Sequence, residues 1–343
     1  MRAAIINVTG YAGSELARIL VNHPQAKIVS VTGRSEAGKK LGDVFPHLEP
    51  LGLTIEKDVT ESVDVVFSAL PHKASAEACE PFLKKGVKVI DISADFRLKN
   101  VAEFEKWYGV QHPCPQYLEE AVYGLTELYK KEIASCRLVA NPGCYPTSAI
   151  LALAPAIKEG LVQPDFIVDS KSGVSGAGRT LGLGTHFSEV NESVSAYSLD
   201  GHRHLPEITQ ELKALGNIEP KVLFLPHLIP MTRGILSSCY ATLKDGALPS
   251  GPKGAAQLKE LYHDFYANEP FVKVTATPPA TKHTLGNNDC LLFPTVDQRT
   301  NRLLVVSCLD NLVKGAAGQA VHNMNVMFGL PERTGLEALA LYP

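Results

Sequence analysis

The sequence predicts an α/β protein in which a doubly wound, Rossmann-like parallel sheet is followed by an α+β domain with a mixed or antiparallel sheet. Three observations carry that reading. Short apolar runs alternate with helical patterns from the N-terminus to Cys144, a glycine-containing turn joins the first run to the first helix, and longer β-branched stretches dominate after Cys144.

Taken in order, runs at 3–7, 27–31, 64–70, 87–92 and 138–140 are strand-like, and Leu16, Ile19 and Leu20 recur at helical spacing between the first two. Strands alternating with helices in this way build parallel βαβ units. The segment 145–160 reads as a helix bent or ended near Pro155, because proline removes a helical hydrogen bond. Strand-like 166–174 runs into a Gly/Ser-rich loop at 172–184. Further β-branched stretches occupy 222–230, 234–243, 271–277 and 302–310, with a helical pattern at 257–267. The small-residue-rich segment 311–329 is helical in pattern and is expected to return to the first domain. The predicted domains are 1–144 together with 313–343, and 145–312.

Composition narrows the function. The chain has 343 residues, 45% of them hydrophobic and 20% charged, which is ordinary globular material. No apolar stretch approaches the roughly 20 residues of a membrane span, and polar Asn7, Thr9 and Gly10 interrupt the N-terminal run before it forms a secretory core. A net charge of -3 with dispersed Lys and Arg offers no basic field for nucleic acid. Seven cysteines without a CxxC pair fit neither a disulfide framework nor a zinc site, and they suit a reducing cytoplasm. No metal is expected.

Thr9-Gly10-Tyr11-Ala12-Gly13 follows the first strand and leads into the first helix. Glycines there let the backbone approach a pyrophosphate, which the helix N-terminus stabilises. Asn7 stands where the first glycine of such a motif is common, and Asn tolerates positive φ best among the alternatives. The second strand ends in Gly33-Arg34-Ser35 with no acid until Glu36. Arg34 and Ser35, with Lys39 as a weaker candidate, therefore suit the 2′-phosphate of NADP rather than the ribose hydroxyls of NAD.

Cys144 follows a strand in Asn141-Pro142-Gly143-Cys144-Tyr145-Pro146, at the start of a helix. The helix dipole favours its thiolate, and free N–H groups of the turn can stabilise an oxyanion. No other cysteine sits in a comparable turn. A thiolate enzyme needs an acid/base near neutrality, and His202-Arg203-His204 is the densest histidine cluster. Two alternatives remain for that cluster at this point, a pair of metal ligands or a plain surface loop. The i,i+2 relation turns the two imidazoles to opposite faces of an extended segment. For an anionic substrate, Arg97 and Arg203 are the first candidate cations and Arg179 the third.

The motifs GYAGSELARIL, VVFSALPH, VIDISADFRL, YGLTEL, NPGCYPTSAILAL, SGVSGAGR, HRHLPEI, PHLIPMTRG and DNLVKGAAGQAVHNMNVMFGL run in order across nearly the whole chain. Together they resemble the N-acetyl-gamma-glutamyl-phosphate reductase family of arginine biosynthesis, itself similar to aspartate-semialdehyde dehydrogenase. Asn7, Thr126 in YGLTEL and the segment TLGNNDC depart from the family pattern.

The resemblance implies a cytoplasmic NADPH-dependent enzyme, a homodimer or homotetramer. In it Cys144 displaces phosphate from an acyl phosphate, and the resulting thioester is reduced to a semialdehyde. It implies acid/base work at His204 or His202, with His204 favoured. Asn141, Ser172, Gly173 and Ser175 would lie near substrate, and Asn311, Lys314 and Gly315 on the nicotinamide side. Three rival readings are a carrier-dependent aminoadipyl-phosphate reductase, a Cys/His hydrolase without a redox cofactor, and a non-catalytic NADP sensor.

Overall fold

The computed structural model describes residues 1–343 and divides into two compact units. The first comprises 1–143 and 316–338, the second 144–315 and 339–343. The last five residues thus differ from the expectation that the whole C-terminus belongs to the first domain. The Leu341 N–H donates to the Leu285 carbonyl at 2.8 Å, which anchors the tail in the second unit.

In the first unit, β1 (Arg2–Ile6), β2 (Lys27–Thr32), β3 (Ile55–Glu56), β4 (Val65–Ser68), β5 (Lys88–Asp91), β6 (Val122–Tyr123) and β7 (Leu138–Ala140) form a seven-stranded sheet in the order β3-β2-β1-β4-β5-β7-β6. Every pairing is parallel. The order runs outward in both directions from β1 and β4, the doubly wound pattern, and ligands bind such sheets at the carboxyl ends where the order reverses. Both faces are covered, so β4 is buried at all four residues.

The second unit holds β8 (Val162–Gly173), β9 (Ser195–Ala196), β10 (Lys221–Ile229), β11 (Ile235–Leu243), β12 (Val272–Val274), β13 (Cys290–Asp297) and β14 (Arg302–Leu309). Their order is β12-β13-β14-β11-β8-β10-β9, a mixed sheet. Burial alternates along β8 and β11, the mark of a sheet with one packed face. The helix Cys144–Lys158 lies on that face, where Ser148 Oγ is hydrogen-bonded with Ser237 Oγ and Ser307 Oγ, each at 2.9 Å.

That helix continues through Pro155 instead of breaking there. Proline leaves the Leu151 carbonyl without its helical donor. The Tyr266 hydroxyl supplies one at 2.6 Å, and Tyr262 donates to the next carbonyl, Ala152, at 2.7 Å. No helix of the protein is long and apolar enough to cross a membrane.

Candidate active site

The turn after β1 is built as its sequence suggests. Asn7 has φ 64°, the left-handed conformation that Asn tolerates in place of glycine. Its side chain accepts from Thr9 Oγ1 at 3.2 Å and donates to the Ala69 carbonyl at 2.8 Å, which pins the turn to the end of β4. Gly10 caps the helix Tyr11–Leu20. A Cβ on Gly13 would stand 2.4 Å from the Asn7 carbonyl oxygen and 2.8 Å from Val8 Cα, so only glycine lets the helix start this close to the strand. Thr9, Gly10 and Ala12 are partly exposed and Tyr11 is open to solvent, leaving the helix N-terminus accessible to an anion.

Beside this turn the first unit has a cavity of about 510 Å³. Val59, Leu70, Pro81 and Phe82 give it apolar walls, dimensions and chemistry that suit an adenine ring. Arg34, Ser35, Lys57 and Lys85 line it as well, three cations and a hydroxyl whose charge suits a phosphate. Lys57 and Lys85 escaped the sequence reading, because neither lies in the strand-end position where cofactor preference is read. Lys39 is instead paired with Glu36 at 2.6 Å.

Cys144 is the first residue of its helix and is partly exposed. Five of the other six thiols are buried, and burial pushes the sixth, Cys136, up to about 11. Cys144 therefore combines access with a helix N-terminus. Gly315 packs directly on it: a Cβ there would lie 2.7 Å from Cys144 Cβ. Gly315 is held by its N–H, which donates to the Asp310 carbonyl at 2.9 Å.

The two histidines share a face, contrary to the extended-segment expectation. Their ring centroids are 4.8 Å apart, because His202 and His204 sit in a turn in which the His202 carbonyl accepts the Leu205 N–H at 2.8 Å just before the helix Leu205–Gly216. His202 Nδ1 accepts the His204 backbone N–H at 3.0 Å. Rings of Tyr145, Tyr197 and Phe224 stand 5.4 to 5.7 Å from the His202 ring. Burial, with Arg203 adding repulsion, pushes His202 down to about 4, so it stays neutral at pH 7. His204 lies 5.9 Å from the ring of Tyr145, the residue next to Cys144. The Tyr145 and Tyr197 hydroxyls, 3.1 Å apart, close this aromatic box, which sequence spacing does not reveal.

The remaining candidates divide by what their polar atoms already hold. Arg97 is buried, and it donates from Nε to the Asn141 carbonyl and from Nη2 to the Ile92 carbonyl, both at 2.8 Å. It ties the ends of β5 and β7 together. Asn141 is buried too, donating to the Ala316 carbonyl at 3.1 Å and accepting from Asn323 at 3.0 Å. Thr126 bonds Asn323 at 2.9 Å, so that departure from the family motif serves the interior.

In the second unit, Asn311 clamps two loops: it accepts the Gly234 N–H at 2.8 Å and donates to Ser175 Oγ at 2.9 Å. Ser172 and Gly173 are buried at the end of β8. Lys314 is fully buried with its ammonium 5.7 Å over the Phe271 ring. Arg179 and Arg203 are exposed.

Comparison with known proteins agrees with this geometry. Residues 2–136 match the family described as "Semialdehyde dehydrogenase, NAD binding domain", and 144–311 match "Semialdehyde dehydrogenase, dimerisation domain". An N-acetyl-gamma-glutamyl-phosphate reductase of Dehalococcoides mccartyi is 59% identical over 343 residues, covering 100% of this chain and 99% of the relative. One of Pelotomaculum thermopropionicum is 51% identical with the same coverage. Among solved structures, aspartate semialdehyde dehydrogenase II from Vibrio cholerae complexed with ASA shares the fold, with a TM-score of 0.70 at 16% identity over 96% of this chain and 98% of that one.

Proposed function

The chain belongs to the semialdehyde dehydrogenase family, among the N-acetyl-gamma-glutamyl-phosphate reductases, and on that premise we propose that it reduces N-acetyl-L-glutamyl 5-phosphate to the 5-semialdehyde and phosphate with NADPH. One observation carries the chemistry: a partly exposed thiol at the first residue of a helix.

The dipole of that helix favours the Cys144 thiolate, which attacks the acyl carbon and expels phosphate to leave a thioester. When bound, NADPH supplies the hydride that reduces the thioester carbonyl. The thiohemiacetal oxygen then reforms the carbonyl and the Cys144 thiolate leaves. His204 takes the thiol proton, lends it to the oxygen as the hydride adds, recovers it as the carbonyl re-forms and returns it to the departing thiolate. His202, neutral and boxed by aromatic rings, accepts the His204 backbone N–H and holds that residue in place. The turn at Thr9–Gly13 and the cavity beside Arg34 and Ser35 hold the nucleotide.

The dimerisation domain supports self-association, and we place the contact on the outer face of the second sheet. There Leu223, Ile167, Tyr240 and Leu304 lie side by side across four strands, with Leu223 60% exposed. The seven free thiols suit a cytoplasmic setting.

Purified protein given NADP, phosphate and N-acetylglutamate semialdehyde should generate NADPH absorbance. Cys144→Ser should abolish it while NADP still binds, and an active Cys144→Ser enzyme would refute the mechanism.

A further inference from the structure

Resting on that reading, we infer that Asp95, in the loop after β5, is a positioning residue for the cofactor: its buried carboxylate fixes the start of the helix Ser75–Lys84, which forms one wall of the nucleotide cavity. Three observations converge on it.

The first is the wall itself. Leu70, Ala78, Pro81, Phe82 and Lys85 line the cavity. The last four follow one another at i, i+3, i+4 and i+7, a single stripe along one helix and its C-cap. Any shift or rotation of that helix therefore moves the apolar wall and the Lys85 cation together.

The second is that the helix brings no cap of its own. Ala74 stands at the N-cap, where a side-chain oxygen would satisfy the free N–H groups of the first turn. Asp95 supplies the acceptors from outside. One carboxylate oxygen accepts the Lys73 N–H at 2.7 Å, and the other accepts the Ser75 and Ala76 N–H groups, each at 3.0 Å. The Asp95 side chain is fully buried, and those three donors, with the positive end of the helix dipole, meet its charge. Lys73 adopts φ 77°, a conformation rare outside glycine, and the same carboxylate holds its N–H in that bend.

The third is that the anchor is rigid and the loop is fastened at both ends. The Asp95 N–H donates to Ser93 Oγ at 3.2 Å, and the Asp95 carbonyl lies 2.7 Å from His112 Nε2. Ser75 Oγ bonds Ser68 Oγ at 2.6 Å, at the end of β4, and also meets the buried Asp91 carboxylate at the end of β5. At the other end of the loop, the Asn7 side chain donates to the Ala69 carbonyl. Loop 69–74, with Leu70 on the cavity, thus spans from the turn after β1 to the Asp95 carboxylate.

NADP binding, read by fluorescence titration of the purified protein, separates this role from the chemistry. Asp95→Asn keeps the size of the side chain but has one acceptor oxygen instead of two. Its Kd for NADP should rise about tenfold, the scale of one lost charged hydrogen bond, and Asp95→Ala should bind more weakly still. At saturating NADP, the KM values for phosphate and semialdehyde in the Asn variant should stay within about twofold of wild type. Ile133→Ala, a core truncation in the same unit that does not touch the cavity wall, controls for stability: at a similar loss of melting temperature it should leave the NADP Kd unchanged. If neither Asp95 variant folds, Ser75→Ala loosens the same helix start with the carboxylate in place, and its Kd should rise about threefold. A wild-type Kd in Asp95→Asn, or in Ser75→Ala where that variant is the reading, would overturn the inference. So would an equal rise in Ile133→Ala, or a rise in the phosphate and semialdehyde KM values as large as that in the NADP Kd. A wild type that binds no NADP would instead overturn the reductase reading.

Discussion

Two strand-to-helix turns carry the chemistry proposed for this protein, and they make room for it in different ways. At 6–11, the space is local: Gly13 sits three residues beyond the Gly10 cap, and its missing Cβ lets its own helix lie on the strand end. At 140–144, the space around Cys144, the proposed nucleophile, comes from far away in sequence, from Gly315, fixed by Asp310. A binding turn can thus be written in one short motif, whereas a reactive thiol depends on a remote segment that keeps it packed yet partly exposed.

Gly315→Ala tests the remote arrangement most severely. A methyl 2.7 Å from Cys144 Cβ forces the thiol or the segment to shift, and a displacement near 1 Å costs on the order of 100-fold in kcat. NADP affinity, read by fluorescence titration, should stay near wild type. If turnover survives intact, Gly315 does not shape the nucleophile's surroundings.

Gly13→Ala tests the local arrangement. Its Cβ meets backbone at 2.4 Å, which flexible side chains cannot relieve, so the variant should lose about 1–3 kcal/mol of stability and bind nucleotide more weakly. Unchanged melting and binding would show that the helix start can retreat freely.

Arg34→Ala should reduce affinity for NADP about tenfold, and hardly affect NAD, if its guanidinium meets the 2′-phosphate. Equal losses for the two nucleotides would place Arg34 elsewhere on the cofactor.

The smallest effect concerns pH. His202 is held down to about 4 in the folded protein, so below its ordinary 6.5 the unfolded chain takes up a proton that the folded one refuses. Stability should therefore fall as pH drops from about 6.5 towards about 4, with no contribution above that window. His202→Gln should flatten this part of a melting-temperature profile; an unaltered slope would assign the acid sensitivity to other groups.

Legibility in sequence followed the same division. The parallel sheet, the glycine turn after β1 and the partly exposed thiol on a helix start were readable, because strand period, turn chemistry and capping are local effects. What failed was long-range. Pro155 read as a helix breaker because nothing near it in sequence announces the hydroxyl of Tyr266 that replaces the lost donor. The link from Arg97 to the Asn141 carbonyl was likewise invisible, because its two ends lie at different strand ends. The histidines read as facing apart because the turn joining them was taken for extended chain.

The first unit stops at Gly143 and resumes at Ala316, and Asn141 Nδ2 donates to the Ala316 carbonyl at 3.1 Å, fastening the edges of the interruption to each other. Residues 144–315 are therefore a cassette set into a nucleotide-binding host whose cut ends are already joined. Recombination at those two points would exchange the proposed nucleophile and acid/base as one heritable block, while the dinucleotide specificity of the host stays in the family that received it.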